Sequence, residues 1–387
     1  MEISTKIKVV GVGGAGGAAV ARIAKTNPAG LEYLAINTDA QALNFLKGPV
    51  KKIRIGQTLT KGLGTGMNPE LGQAAIEESK EEVKEALREA SLVFITAGMG
   101  GGTGSGASPL VADLAKEVGA LTIAIVTKPF AFEGTPRKSI AETGIKELVS
   151  RVDTLITIPN SRILSLMDKG ATLLEGFNLT DKILADATQG ISEILTVPGL
   201  VNVDFADVRA VIQGAGSALL TIGTSQGTSR AREAVKAALE NPLLDFSIKG
   251  ARGALFIVTG PLDLRLAEVD EIAQIITRHI DKNAKVIFGS VIDEKLKDKL
   301  KVTLIATGFD GRKSGEAFPL PAIDLEPKAP IKREVRKDEV PKDKSPQKKF
   351  KSKAKVLEEI KKNPKTGETQ LSEDELEIPA FLRKKLM

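Results

Sequence analysis

Gly100-Gly101-Gly102-Thr103-Gly104-Ser105-Gly106 follows the apolar run 92–97 and opens an amphipathic stretch, so a strand here passes through a glycine turn into a helix. The same arrangement occurs earlier. Gly11-Val12-Gly13-Gly14-Ala15-Gly16 closes the β-rich run 6–12 and satisfies the pattern G-x-G-x-x-G, with Asp39 at a suitable distance downstream. Further β-rich runs at 31–38, 121–127 and 154–158 alternate with helical segments, and that alternation predicts a parallel sheet covered by helices. Both glycine loops then lie at the carboxyl ends of strands, where such a sheet takes its ligands.

The chemistry of these loops is backbone chemistry. N–H groups at a helix N-terminus approach a phosphate closely when no Cβ intervenes. Alone, the first loop is a weak signal that fits a plain strand-to-helix turn as well as the nicotinamide site of an oxidoreductase, the turn taking roughly one chance in three. A second cradle on the same sheet edge is superfluous for a nicotinamide dinucleotide and suits a triphosphate gripped from two sides. Thr103 and Ser105 add hydroxyl donors there. No G-x-x-x-x-G-K-[ST] occurs, which excludes the Walker-type P-loop class.

Beyond the first sheet, the spacing of Leu179, Ile183, Leu184, Ala187, Ile191, Ile194 and Leu195 predicts one long helix over 178–197, stopped by Pro198-Gly199. Strand patterns at 217–223, 254–260, 285–292 and 301–307, with helices near 229–239 and 267–280, predict a second, smaller α/β domain. Past Asp324 the chain turns to Pro, Lys and Glu, a composition that cannot bury enough apolar surface to offset ordering. The expected organisation is a nucleotide-binding domain over 1–175, a central helix over 176–198 and a C-terminal domain over 199–315. A disordered basic linker over 316–371 and a short apolar docking peptide over 372–387 follow.

Composition narrows the function classes. The 387 residues contain no cysteine and one histidine, His279, so disulfide scaffolds, thiol catalysis and multi-histidine metal sites are excluded. The net charge of +6 is local. Lys/Arg and Asp/Glu balance at 37 each up to Leu325, whereas 326–365 carries 15 against 7. A neutral body argues against specific nucleic-acid binding. No apolar run approaches the roughly 18 residues needed to span a bilayer, and the expected location is the cytoplasm.

Several side chains have plain structural readings. In Asn202-x-Asp204-x-x-Asp207, Asp204 fits the N-cap of a helix beginning at Phe205, with Asp207 in its first turn. Phe177 fits core packing at a helix start and Asp181 a first-turn acid favoured by the helix dipole.

G-G-G-T-G-S-G over 100–106 resembles the signature of the tubulin/FtsZ family. The loops Asn37–Leu43, Gly64–Pro69, Thr127–Phe130, Phe132–Gly134, Ile158–Asn160, Gln189–Ser192 and Pro198–Asp207 resemble those of its FtsZ branch, in the same order. So does the tail Leu376-Glu377-Ile378-Pro379-Ala380-Phe381-Leu382-Arg383. The resemblance implies a GTPase using GTP/GDP and Mg²⁺, assembling with itself head to tail in the bacterial division ring at midcell. It implies that Gly13, Gly14, Gly16, Gly17, Asn37, Gly66, Gly100, Gly101, Gly102, Thr103 and Gly104 line the phosphate side. Glu133 and Arg137 would hold the ribose, Asn160, Phe177 and Asp181 would surround guanine, and Asp204, Asp207 and Asn202 would complete catalysis on the neighbouring subunit. No residue is expected to form a dedicated metal cage. Division-ring adaptor proteins would bind the C-terminal peptide, leaving membrane contact indirect.

Overall fold

The computed structural model describes residues 6–309, apart from 27–29, 164–166, 168–169, 197–198, 202 and 242–246. The expected linker and docking peptide lie outside the described residues, as does Asn202. All described residues fall in one compact unit, Met1–Leu320.

Ten strands are found among the described residues: β1 (Ile7–Val12), β2 (Leu31–Asn37), β3 (Val50–Arg54), β4 (Leu92–Gly98), β5 (Leu121–Lys128), β6 (Thr154–Pro159), β7 (Gly216–Gln226), β8 (Gly253–Gly260), β9 (Lys285–Ile292) and β10 (Lys299–Thr307). They form one sheet in the order β3-β2-β1-β4-β5-β6-β7-β10-β8-β9. β1 to β6 pair in parallel, and every residue of β1 is buried because helices cover both faces. The helices Gly13–Thr26 and Leu173–Thr196 pack one face; Pro69–Glu78, Gly102–Glu117 and Thr135–Arg151 pack the other. The fold is α/β and mostly parallel.

Two features go beyond the sequence reading. The strands of the smaller C-terminal part are joined to the first sheet: β7 continues it in parallel, through Thr154↔Gly216 to Ile156↔Ala218, and β10 then pairs antiparallel to β7 and β8. The long helix begins at Leu173, not Asn178, because Thr172 and Glu175 close a capping box ahead of Gly176. The Thr172 N–H donates to Glu175 Oε2 at 2.6 Å and the Glu175 N–H to Thr172 Oγ1 at 3.2 Å. Leu184, Ala185, Ala187 and Ile191 of this helix share a core with Ile123 and Ile125 of β5 and with Leu255, Ile257 and Ile305 of β8 and β10. A single rod thereby joins the two halves of the sheet.

Candidate functional site

The strand order turns about between β1 and β4, and a parallel sheet opens a crevice beyond the carboxyl ends of strands at such a switch. Both glycine loops emerge there. The helices Gly13–Thr26 and Gly102–Glu117 begin in that crevice, directing free N–H groups and the positive ends of their dipoles into it. The loops touch each other: a Cβ on Gly13, whose φ is +74°, would stand 3.2 Å from the Gly104 nitrogen.

The glycines divide by what surrounds them. A Cβ on Gly16 would fall 2.2 Å from the Thr96 carbonyl oxygen, and one on Gly104 2.5 Å from that of Gly98, so these two let the loops sink onto β4. Gly17 faces the Leu46 side chain, Gly100 the Arg137 side chain, and Gly102 the Thr65 hydroxyl. At Gly14, Gly66 and Gly101 no described atom beyond the adjoining backbone lies within 4 Å of such a Cβ. Gly14 and Gly101 therefore leave open the space that a phosphate would fill. Gly14→Ala should unfold at the wild-type temperature yet bind GTP on the order of tenfold to a hundredfold more weakly, through loss of charge-assisted N–H bonds. Gly16→Ala should show the reverse emphasis, losing about 1–3 kcal/mol of stability without ligand. Thermal unfolding and nucleotide titration of both variants check the division.

Hydroxyls fasten the loops. Thr103 Oγ1 lies 3.0 Å from Thr38 Oγ1 and 3.3 Å from Thr65 Oγ1, all buried, which ties the second glycine loop to the end of β2 and to the 64–66 loop. Ser105 Oγ accepts the Gly100 N–H at 2.8 Å and holds the turn closed. Asn37 is buried, its Oδ1 accepting the Asp39 N–H at 3.3 Å.

A second set of side chains gathers past the ends of β5 and β6. Glu133 pairs with Arg137 at 2.7 Å and accepts the Phe130 N–H at 2.8 Å. Phe130 stacks on Phe132 with ring centroids 5.0 Å apart and meets the edge of Phe177 at 5.7 Å. Phe132 is 60% exposed, which leaves an aromatic surface for a flat ligand. Asn160 is buried, and its Oδ1 has no partner among the described residues. One helical turn beyond Phe177, the Asp181 carboxyl is pushed up to about 6 by burial, partly opposed by the charge of Arg22. Arg22 donates to Asn178 Oδ1 at 3.2 Å, and its buried Nε has no partner among the described residues. Sequence reasoning missed Arg22, which stands outside the glycine motif on the helix that follows it. The unpaired Asn160 Oδ1 and the Asp181 carboxyl are acceptors that suit a heterocycle with an amide-like edge, and a paired N1–H and N2–H₂ edge is guanine's.

The acidic residues sit elsewhere. Asp204 is the N-cap of the helix Phe205–Ile212 and accepts the Asp207 N–H at 2.7 Å, while the Asp207 carboxylate makes no hydrogen bond or ion pair with the described residues. Just before them, Val201 bridges to Ser290 of β9. Six strand spacings separate β4 from β9, a lateral offset of about 29 Å. The helix Leu173–Thr196 spans about 36 Å between the base-side residues at its start and this loop after its end. Within one chain, Asp204 and Asp207 are not brought to the glycine crevice. Among the described residues no three His, Cys, Asp or Glu side chains cluster for a metal, and no helix is long and apolar enough to cross a membrane.

Residues 6–168 match the Tubulin/FtsZ family, GTPase domain, and residues 216–310 match the FtsZ family, C-terminal domain. The chain is similar to an empty FtsZ dimer from M. jannaschii, at 43% identity and a TM-score of 0.76, over 84% of this chain and 96% of that one. A point-mutant FtsZ from the same organism matches at 45% identity and a TM-score of 0.75, over 79% and 92% of the two chains. CetZ2 from Haloferax volcanii, a GTPγS-bound protofilament, shares the fold at 23% identity and a TM-score of 0.67, over 78% of this chain and 92% of that one.

Proposed function

This chain belongs to the tubulin/FtsZ family and is a GTPase, and from that premise we propose that it builds head-to-tail filaments of the cell-division ring, each active site completed by the next subunit. The observation that carries the reading is the separation just described. Asp204 and Asp207 are exposed or half-buried at a loop pinned to β9, about six strand spacings from the glycine crevice, so they reach a phosphate only on a neighbour. The FtsZ dimer and the CetZ2 protofilament among the similar structures support such stacking.

In the shared site, N–H groups of both glycine loops hold the phosphates and take up charge that develops on the transferring phosphoryl. Guanine lies against the Phe130, Phe132 and Phe177 surface with Asn160 and Asp181 at its edge, and Glu133 and Arg137 flank the ribose. The partner's carboxylates at positions 204 and 207 orient and polarise the attacking water, with Asn202 as a positioning group. Mg²⁺ would supply charge neutralisation on the phosphates when bound. The C-terminal peptide around Leu376, Ile378, Phe381 and Leu382 docks on adaptor proteins at midcell, and the membrane is reached through them.

Specific GTP turnover should be close to zero below a critical protein concentration and rise above it, as measured by phosphate release across a dilution series. A turnover number constant down to nanomolar protein would show that one chain holds a complete site.

A further inference from the structure

Arg209 is the only lysine or arginine between Lys182 and Arg230, and it stands two residues after Asp207 on the helix Phe205–Ile212. Its guanidinium lies over the Phe205 ring, 5.1 Å from the centroid, four residues back along the same helix. Side chains of a helix lean toward its N-terminus, so this stack carries the cation back toward the end where Asp204 and Asp207 stand. The helix dipole disfavours a positive charge there, because the free N–H groups of the first turn already make that end positive. Phe205 supplies the compensating contact, and it is itself half-buried against the core.

The charge is held at that end without being used within the chain. Among the described residues the Arg209 guanidinium makes no hydrogen bond or ion pair. Asp204 spends a carboxylate oxygen on the Asp207 N–H at 2.7 Å, not on Arg209. The helix packs on β8 and β9, and neither strand carries an Asp or Glu. A planar fork of N–H donors thus stands free beside the two acids.

The electrostatics of a shared site give this charge a use. Carboxylates at positions 204 and 207 brought to a neighbour's triphosphate approach an anion of their own sign, and the repulsion grows as water is excluded. An arginine on the same helix offsets that repulsion, and its fork matches the oxygens of a phosphate. We propose that Arg209 enters the neighbouring subunit's site together with Asp204 and Asp207 and donates to the terminal phosphate of GTP, an inference that rests on the intersubunit site proposed above. In the reaction the bond from the terminal phosphorus to the bridging oxygen breaks, and GDP leaves with its electron pair. The new bond joins that phosphorus to the oxygen of the attacking water, whose proton passes to solvent. Arg209 exchanges no atom; it stabilises the charge on the phosphoryl oxygens during transfer.

Phosphate release by full-length Arg209→Ala and Asp207→Ala, each above the wild-type critical concentration, tests the assignment. Arg209→Ala should turn over about 10²–10³-fold more slowly than the wild type. Diluted below assembly, it should bind GTP as tightly as the wild type, because Arg209 is not part of its own chain's crevice. Guanidinium ion added to the solution should speed Arg209→Ala and leave Asp207→Ala unchanged, and Arg209→Lys, with the charge but not the fork, should fall between wild type and Arg209→Ala. Sedimentation of each variant, alone and with the wild type in excess, reads assembly separately. Wild-type turnover by Arg209→Ala beside slow turnover by Asp207→Ala would overturn this assignment and leave the shared site standing, whereas wild-type turnover by both would overturn the shared site itself. Slow turnover that guanidinium does not relieve, or exclusion of Arg209→Ala from wild-type filaments, would make Arg209 a packing residue and overturn the proposal as well.

Discussion

Asp207→Ala is expected to bind GTP and assemble like the wild type while its turnover falls by about 10²–10³-fold, the loss of about 3–4 kcal/mol of transition-state stabilisation typical of removing one positioned polar group. Binding should survive because Asp207 lies far from the glycine crevice. Assembly should survive because its carboxylate makes no hydrogen bond or ion pair with the described residues of its own chain: the cap of the Phe205–Ile212 helix is made by Asp204, with only the backbone N–H of Asp207. Asp204→Ala should therefore behave differently, combining slow turnover with loss of about 1 kcal/mol of stability from the missing cap. Phosphate release, sedimentation and thermal unfolding of the two variants separate these effects. Wild-type turnover by Asp207→Ala would leave that residue as no more than an acid favoured by the helix dipole.

Much of the fold was legible because burial on both faces of a parallel sheet leaves uninterrupted apolar runs, as in β1, β4 and β5. β3 was not legible. Val-Lys-Lys-Ile-Arg at the sheet edge buries only Val50 and Ile53, three residues apart, and so shows neither alternation nor a continuous run. The continuity of the sheet through β6 and β7 was hidden for another reason: it depends on three paired residues 62 positions apart, a tertiary contact with no local pattern. At the site, the glycine loops declare themselves as motifs, but which glycine serves packing and which leaves room for a ligand depends on neighbours such as the Thr96 carbonyl. Arg22 carries no motif at all; only its position against Asn178 and Asp181 gives it meaning. The distance between the acidic loop and the crevice likewise required the sheet order.

Asp181 gives the second large expected effect, and it depends on pH. In the free chain burial raises its carboxyl to about 6, so near that pH part of the population is protonated. Guanine's N1–H and N2–H₂ donate to the ionised form only, which lowers the carboxyl's pKa in the complex relative to the free chain. Affinity for GTP is then fully present above about pH 6 and weakens as pH falls through that value, by up to tenfold per unit, with a proton taken from the free carboxyl on binding. The terminal phosphate of the nucleotide titrates near pH 6 as well, so the informative quantity is the difference between two profiles. Asp181→Asn turns an amide N–H toward guanine's donors or leaves one unpaired. It should weaken GTP binding by on the order of a hundredfold at pH 7.5, about 2.7 kcal/mol, and narrow the gap between GTP and ATP. Its affinity should also vary less with pH than the wild type's, because only the phosphate remains to titrate. Arg22→Gln should move the wild-type midpoint upward, since the guanidinium charge now holds the Asp181 carboxyl down. Calorimetric titrations of GTP and ATP between pH 5 and 8 read all of this. Superimposable pH profiles for the wild type and Asp181→Asn would remove Asp181 from the base pocket and return it to the role of a buried acid at the start of the central helix.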